Sequence, residues 1–317
     1  MTYSTSPSQF WNRSLRRTWQ RLGLVLAGTS TVVLQFGMMP GFAADPFRQS
    51  NPHSISATAE SAFYAMFRDG DYVAAKNYLA NASGSDVNEP MIHALSAALA
   101  YLDGDLDTLL SSAQQTQQAA AAMQSRDPLR GNLYAAVGIF LEGAHVLQTQ
   151  GVARGTPRAL AMLQRVFDHM SEAERINPED PELSLLKGFM DLLLAVNLPF
   201  ANPERAIERL ATYGYPTYVS QRGIAIGYRD LGENEKALAA VEQALAAAPD
   251  NPDLMYLKAQ ILRRLGRNRE SVTLFAQALE YDQQLPLGTV RQIVLEQCFA
   301  ERRAADVCRS RADSYTP

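Results

Sequence analysis

Tryptophan is almost missing from this chain of 317 residues: Trp11 and Trp19 are its two copies. Histidine is nearly as scarce. The four histidines, His53, His93, His145 and His169, share no metal-ligand spacing and no acid–histidine helix motif, so neither a metal nor any other cofactor is expected. His53 lies in a Pro- and Ser-rich stretch, and the other three read as structural histidines in helices. Nucleophile elbow, phosphate loop and dinucleotide fingerprint are all absent. The stretch GVARGTPRA lacks the Lys-Ser/Thr end of a phosphate loop and reads as a turn, with Pro157 opening a helix. Carboxylates are plentiful but scattered, many of them in helix-start runs such as NPEDPE and PDNP. No constellation supports catalysis, so the chain is expected not to be an enzyme; a pocket gathering His145, His169 and a carboxylate would revive a hydrolytic reading.

An excess of positive charge is missing as well. The formal net charge is −4. Four arginines and no acid lie in the first 44 residues, so the remainder carries −8. That balance disfavours nucleic acid, whose phosphates demand a basic footprint.

Residues 1–44 read as a signal peptide. Arg13, Arg16, Arg17 and Arg21 precede an apolar run from Leu22 to Met39, and PGFAAD follows, with small residues suited to cleavage after Ala43 or Ala44. The adjacent Arg16 and Arg17, with Trp19 after one intervening residue, fit a twin-arginine signal; an ordinary secretory segment holding two neighbouring arginines is the other reading. Export to a periplasmic or other extracytoplasmic lumen is the expectation. Left uncleaved, the segment approaches spanning length, and the chain would instead be a membrane-tethered structural subunit. In an oxidising compartment Cys298 and Cys308 are candidates for a disulfide. Ten residues of unbroken helix would hold them about 15 Å apart, so either a turn near AERRAA folds the chain back or they remain two semi-buried thiols.

What is present is a repeat. Shifted by 34 residues, LGENEKALAAVEQALAAAPDNP recurs: Gly232 maps to Gly266, Tyr228 to Leu262, Ala225 to Ala259, Val241 to Phe275, Ala244 to Ala278 and Leu245 to Leu279. Gly70 and Gly104 repeat the spacing near the other end, in FYAMFRDGDYVAAKNYLA and ALSAALAYLDGDLDTLLSSA. Ala237, Ala240, Ala244 and Ala247 line one helical face, which lets a second helix approach closely.

A period of 34 with small, aromatic, turn-glycine, small, large and small residues and a closing proline resembles the tetratricopeptide repeat, a helix-turn-helix unit. Ala225, Tyr228, Gly232, Ala237, Val241, Ala244 and Pro249 carry the likeness, which is to the exported bacterial members of that family. The family's usual tryptophan position is filled by Gln221 and Met255. The resemblance implies an all-α solenoid of stacked helical hairpins: a linker over 45–54, an array over 55–285, and a C-terminal capping helix and tail over 286–317, the helix running near Leu287 to Arg311. Five helical pairs are expected, two of them irregular. In the middle, RGNLYAAVGIFLEGAHVLQTQ pairs with the long TPRALAMLQRVFDHMSEAERINP across about fifty residues. Next, PELSLLKGFMDLLLAV pairs with RAIERLATYGYP across an inserted loop. Gly138 and Gly188 take small positions in these two units.

In such arrays the first helix of each pair lines a concave groove. The implied function is a non-catalytic scaffold holding a protein or peptide there, assisting assembly of an envelope or membrane complex. The inward positions hold Arg222, Ile226 and Arg229, then Tyr256, Gln260 and Arg263, with Arg264 alongside. Arg222, Arg229, Tyr256, Arg263 and Arg264 would form a basic, partly aromatic strip able to grip an acidic peptide by charge-assisted hydrogen bonds. The plainer reading pairs these arginines with Asp230, Glu233 or Asp253 as solvated surface charge. In the first two units the inward positions are Tyr64, Phe67 and Arg68, then Ala98, Tyr101 and Leu102. That end is expected to pack on the irregular middle pair; if exposed, it would be a hydrophobic docking patch.

Overall fold

The computed structural model describes residues 45–197 and 202–316; the expected signal peptide lies outside them. The described residues hold thirteen α-helices and no strand. They run α1 Ala57–Phe67, α2 Tyr72–Ala80, α3 Pro90–Asp103, α4 Leu106–Met123, α5 Pro128–Ile176, α6 Pro181–Asn197, α7 Pro203–Tyr213, α8 Thr217–Asp230, α9 Asn234–Ala247, α10 Pro252–Arg264, α11 Asn268–Leu279, α12 Leu287–Ala300 and α13 Ala305–Asp313. Helix α5 breaks at Gly151, where φ is +71°, and its arms fold together so that His169 Nδ1 lies 3.0 Å from Asn132 Oδ1. The described residues thus form six hairpins and a C-terminal pair, where five were expected. The turn of the middle hairpin sits at Gly151, and Pro157 lies inside the second arm rather than opening it.

The turn glycines recur in one local setting. Gly70, Gly104, Gly232 and Gly266 have φ of +65°, +76°, +83° and +76°, a left-handed conformation that glycine adopts without steric cost. At each, the next residue's N–H reaches back to a carbonyl in the last turn of the helix before it, six positions earlier for Asp71 to Ala65 at 2.9 Å and five for Asp105 to Ala100 at 2.9 Å, Glu233 to Tyr228 at 2.8 Å and Arg267 to Leu262 at 2.9 Å. Helix starts are equally regular. The side chains of Asp71, Asp105, Asp127, Asn202 and Asn251 cap backbone N–H groups, and Pro90, Pro128, Pro203 and Pro252 occupy first-turn positions.

Small residues sit where helices of one unit meet the next. Ala225, Ala237, Ala244, Ala259 and Ala278 are fully buried, while Ala247 at the end of α9 is exposed. A Cβ on Gly188 would lie 2.7 Å from Leu210, and one on Gly223 would lie 2.7 Å from Phe189. Close approach, rather than large interdigitating side chains, therefore sets the spacing of these units.

Two features depart from an open array. The first hairpin touches the fifth-to-sixth unit boundary along a seam: Asn251 Nδ2 donates to the Phe67 and Arg68 carbonyls at 3.4 Å. In the same seam, a Cβ on Gly70 would lie 2.5 Å from Pro252 Cδ. The curl of the solenoid thus brings residues more than 180 positions apart into contact. Residues 45–54, expected as a linker, are instead a strap packed on the array, with Asp45, Pro46 and Phe47 buried.

The C-terminal end is likewise not one helix. Arg302, at φ +60°, turns the chain between α12 and α13, and Cys298 and Cys308, both fully buried, form a disulfide with their Cα atoms 5.4 Å apart. Of the two alternatives, the turned-back staple is the one observed.

Candidate functional site

The inward face of the first four hairpins carries apolar residues at helical spacing. Phe63 and Phe67 lie on α1, Met91, Leu95 and Ala98 on α3, Val137 and Leu141 on the first arm of α5, and Leu185 and Phe189 on α6. With Phe47 from the strap and Val219 from α8, they enclose a cleft of about 180 Å³. Its floor is buried, with the Phe47 and Phe63 rings edge to face at 4.7 Å between centroids. Ala98, Tyr101, Val137, Phe140, Leu141 and Leu186, all half-buried, form its mouth. The apolar end of the inward face therefore does both things considered for it. Phe67 packs into the core, while Ala98 and Tyr101 line an apolar opening against the middle pair.

A buried charge cluster abuts this cleft. Arg130, with no exposed surface, donates through Nε to Glu182 Oε2 at 3.1 Å and through Nη2 to Glu89 Oε1 at 2.9 Å. The Tyr134 hydroxyl donates to Glu182 Oε1 at 2.7 Å. From the strap, Arg48 forks onto Asp180 at 2.8 and 2.7 Å and reaches Glu182 at 3.1 Å. It also donates to Asp45 at 2.7 Å. Burial pushes the Glu182 carboxyl up, but the Arg130 and Arg48 guanidinium charges outweigh it and hold the group below its ordinary value. At Asp180 burial wins, and the carboxyl is raised despite Arg48. A second tie joins strap to array where His53 Nδ1 meets Asp127 Oδ2. Burial raises Asp127, yet the His53 bond and the Arg130 backbone N–H leave it lowered overall.

The proposed basic strip is placed differently from expectation. Arg222 is buried, 3.7 Å from Asp253. Arg229 is buried, bonded to Asp230 at 2.9 Å and Gln260 at 2.8 Å. The Tyr256 hydroxyl donates to Glu296 at 3.1 Å, and Arg263 reaches the same carboxylate at 3.3 Å. Arg264 lies 3.8 Å from Asp230 and also donates to the Arg229 carbonyl. Arg263 and Arg264 alone keep part of their surface open. The pairing with Asp230 and Asp253 follows the plainer reading, but inside the molecule rather than on a solvated face; Glu233 pairs with Lys236 instead. The inward face of the last repeats is covered by α12 and its Glu296, so the strip acts as internal mortar. Local periodicity marks these positions as inward, yet nothing local signals what covers them.

Among the described residues no group of histidine, cysteine, aspartate and glutamate could hold a metal, and His169 is held by Asn132 rather than a carboxylate. No helix among the described residues is long and apolar enough to cross a membrane.

Comparison with known proteins agrees with this geometry in one segment. Residues 223–286 match the family model of the tetratricopeptide repeat. No curated protein matches the chain. Among solved structures, a monomeric mutant of IFIT1 with Gppp-AAAA is 18% identical, with a TM-score of 0.47. The match covers 78% of this chain and spans 57% of that one. Most of α8 and all of α9 to α11, with their paired turn glycines 34 residues apart, lie within this tetratricopeptide-repeat match, and the described residues form an all-α solenoid.

Proposed function

We propose that this chain is an exported, non-catalytic scaffold that binds an extended segment of a partner protein at the apolar cleft on its inward face. The observation that carries this reading is the cleft itself: a half-open cavity lined by first helices of four successive hairpins and joined, through its lining residue Tyr134, to the buried Asp180–Glu182 carboxylates. Concave apolar sites with a few convergent polar groups are where ligands bind. The acidic cluster favours a basic partner over the acidic one inferred from Arg222 and Arg229, and it argues against nucleic acid. Arg263 and Arg264 are the members of the strip still able to contribute at the surface. Export is supported by the order of basic, apolar and small residues in 1–44, and a buried disulfide suits an oxidising compartment.

Two measurements test this. A photo-crosslinking residue at Tyr101, in the mouth, should capture a discrete partner from the exported fraction, while the same residue at Glu270 on the outer helix α11 should not. Equal labelling at both positions, or at neither, defeats the cleft as the binding site, and loss of capture on Arg263→Glu/Arg264→Glu alone would return the site to the strip. The mass of the exported chain should correspond to a start at Ala44 or Asp45; an intact Met1 would favour the membrane-tethered subunit.

A further inference from the structure

We propose that the strap is a ligand bound in cis: residues 45–48 occupy the cleft and its acidic wall as a partner would. The partner that replaces them is an extended peptide carrying an aromatic residue followed by arginine, plus one further large apolar side chain. This rests on the scaffold reading above.

Four observations lead there. The strap has no helix or strand and is fixed by its side chains, with Phe47 edge-on to Phe63 and Arg48 forked on Asp180. Gln49, Ser50, Asn51 and Pro52 are exposed, so these anchors hang from an arc in solvent rather than from a packed element. Phe47 underfills its cleft: about 180 Å³ remains beside it, more than the roughly 150 Å³ apolar cavity that accepts a benzene ring. Finally, the wall demands a cation. Without the strap it holds Glu89, Asp180 and Glu182 against the single charge of Arg130. Arg48 supplies one positive charge, but the strap also inserts Asp45, whose carboxylate accepts from Arg48 and the His53 backbone N–H. A trans peptide that keeps the Phe-Arg pair, omits that acid and fills the remaining volume would bind better than the cis segment on both counts.

The probe is a fluorescent peptide of residues 45–56, DPFRQSNPHSIS, followed by anisotropy. The mature chain carrying Phe47→Ala/Arg48→Gln should bind it about tenfold or more tightly than the wild-type chain does. The peptide with Arg48→Gln should lose at least that factor, and the peptide with D45K should gain. No binding by a variant of wild-type helical content, or binding indifferent to the peptide's arginine, overturns the proposal. If the variant fails to fold, a protease site inserted between Ser50 and Asn51 of the otherwise wild-type chain gives the second measurement. After cleavage the strap piece should exchange with labelled peptide, and its retention without exchange would mark it as a permanent strut. Partner crosslinking at Tyr101 together with failed exchange would sink the strap proposal while leaving the scaffold standing; failure of both would remove the cleft as well.

Discussion

Beside the Asn251 and Pro252 contacts, closure of the array uses one buried phenol. Tyr72, 1% exposed, starts α2 in the first hairpin, and its hydroxyl donates to Asp253 Oδ2 at 2.6 Å across the seam. Asp253 is as buried, and its other oxygen has no hydrogen-bond partner among the described residues. Burial pushes its carboxyl up to about 6, with Arg222 and the Tyr72 bond pulling partly back. A folded value above the ordinary one near 4 means that folding favours the protonated acid. This group's stabilisation is complete below about pH 4 and is lost as pH rises through 6, with an upper limit of about 3 kcal/mol. The Tyr72 bond offsets that loss, because it serves the charged form. Tyr72→Phe should therefore cost about 1.5–3 kcal/mol at pH 8, where a hydrogen bond to a carboxylate is lost. That corresponds to a fall in Tm of roughly 3–12 °C. At pH 5 the acid is protonated in both proteins and less than half the loss should remain. Thermal unfolding at the two pH values measures this. Amide exchange should at the same time accelerate in α1 and α2 while α11 keeps its protection. Equal losses at pH 5 and 8, or no loss at pH 8, would refute the coupling of seam and proton.

Other expectations are simpler to read. Cys298→Ser/Cys308→Ser, or reduction, should destabilise the C-terminal pair by about 2–3 kcal/mol through the freed ten-residue loop, seen as earlier exchange of α13. Arg130→Met leaves Glu89 buried without its cation and Glu182 with Arg48 alone, and should cost about 3–5 kcal/mol in denaturant unfolding; a neutral result would mean that Arg130 does not offset the burial of those carboxylates. Gly223→Ala forces a methyl against the Phe189 ring and should cost about 1–3 kcal/mol. Gly143→Ala, in a helix with nothing within 4 Å of the new atom, should instead stabilise by about 0.4–1 kcal/mol.

The hairpins were legible in the sequence because their information is local. Gly232 and Gly266 announce a left-handed turn wherever they stand, and Ala225 or Ala259 two turns of helix earlier marks the face that a neighbour approaches. Gly138 and Gly188 could be placed for the same reason, even in units of irregular length. Partners across the curl were not legible. Tyr72 reads as the first residue after an Asp71 cap, and Asp253 reads as an acid in a first turn; each has a sufficient local explanation. The strap misled similarly, since Pro, Ser and Asn between 46 and 56 describe a solvated linker well. Its anchor is the pair Phe47–Arg48, whose receptors lie in two distant segments, Phe63 in the first helix and Asp180 and Glu182 at the start of α6. The split of the C-terminal helix could be foreseen only as a condition of the disulfide, because Arg302 supplies the left-handed turn without a glycine.

The same curl explains why an inward position means different things at the two ends. Where the first hairpin and α12 fold over the last repeats, the inward residues become core. Arg222 and Arg229 must then find Asp253, Asp230 and Gln260, because an unpaired buried guanidinium is too costly to keep. The middle hairpin prevents the same filling elsewhere. The first arm of α5, residues 128–150, is about 34 Å long against about 21 Å for α3. Its Phe140 and Leu141 lie near the middle of that arm and form part of the cleft mouth with Ala98 and Tyr101, near the end of α3. An insertion that lengthens one unit thus shifts its inward side chains out of register with the neighbouring hairpins, leaving an apolar opening that a regular 34-residue unit would have closed.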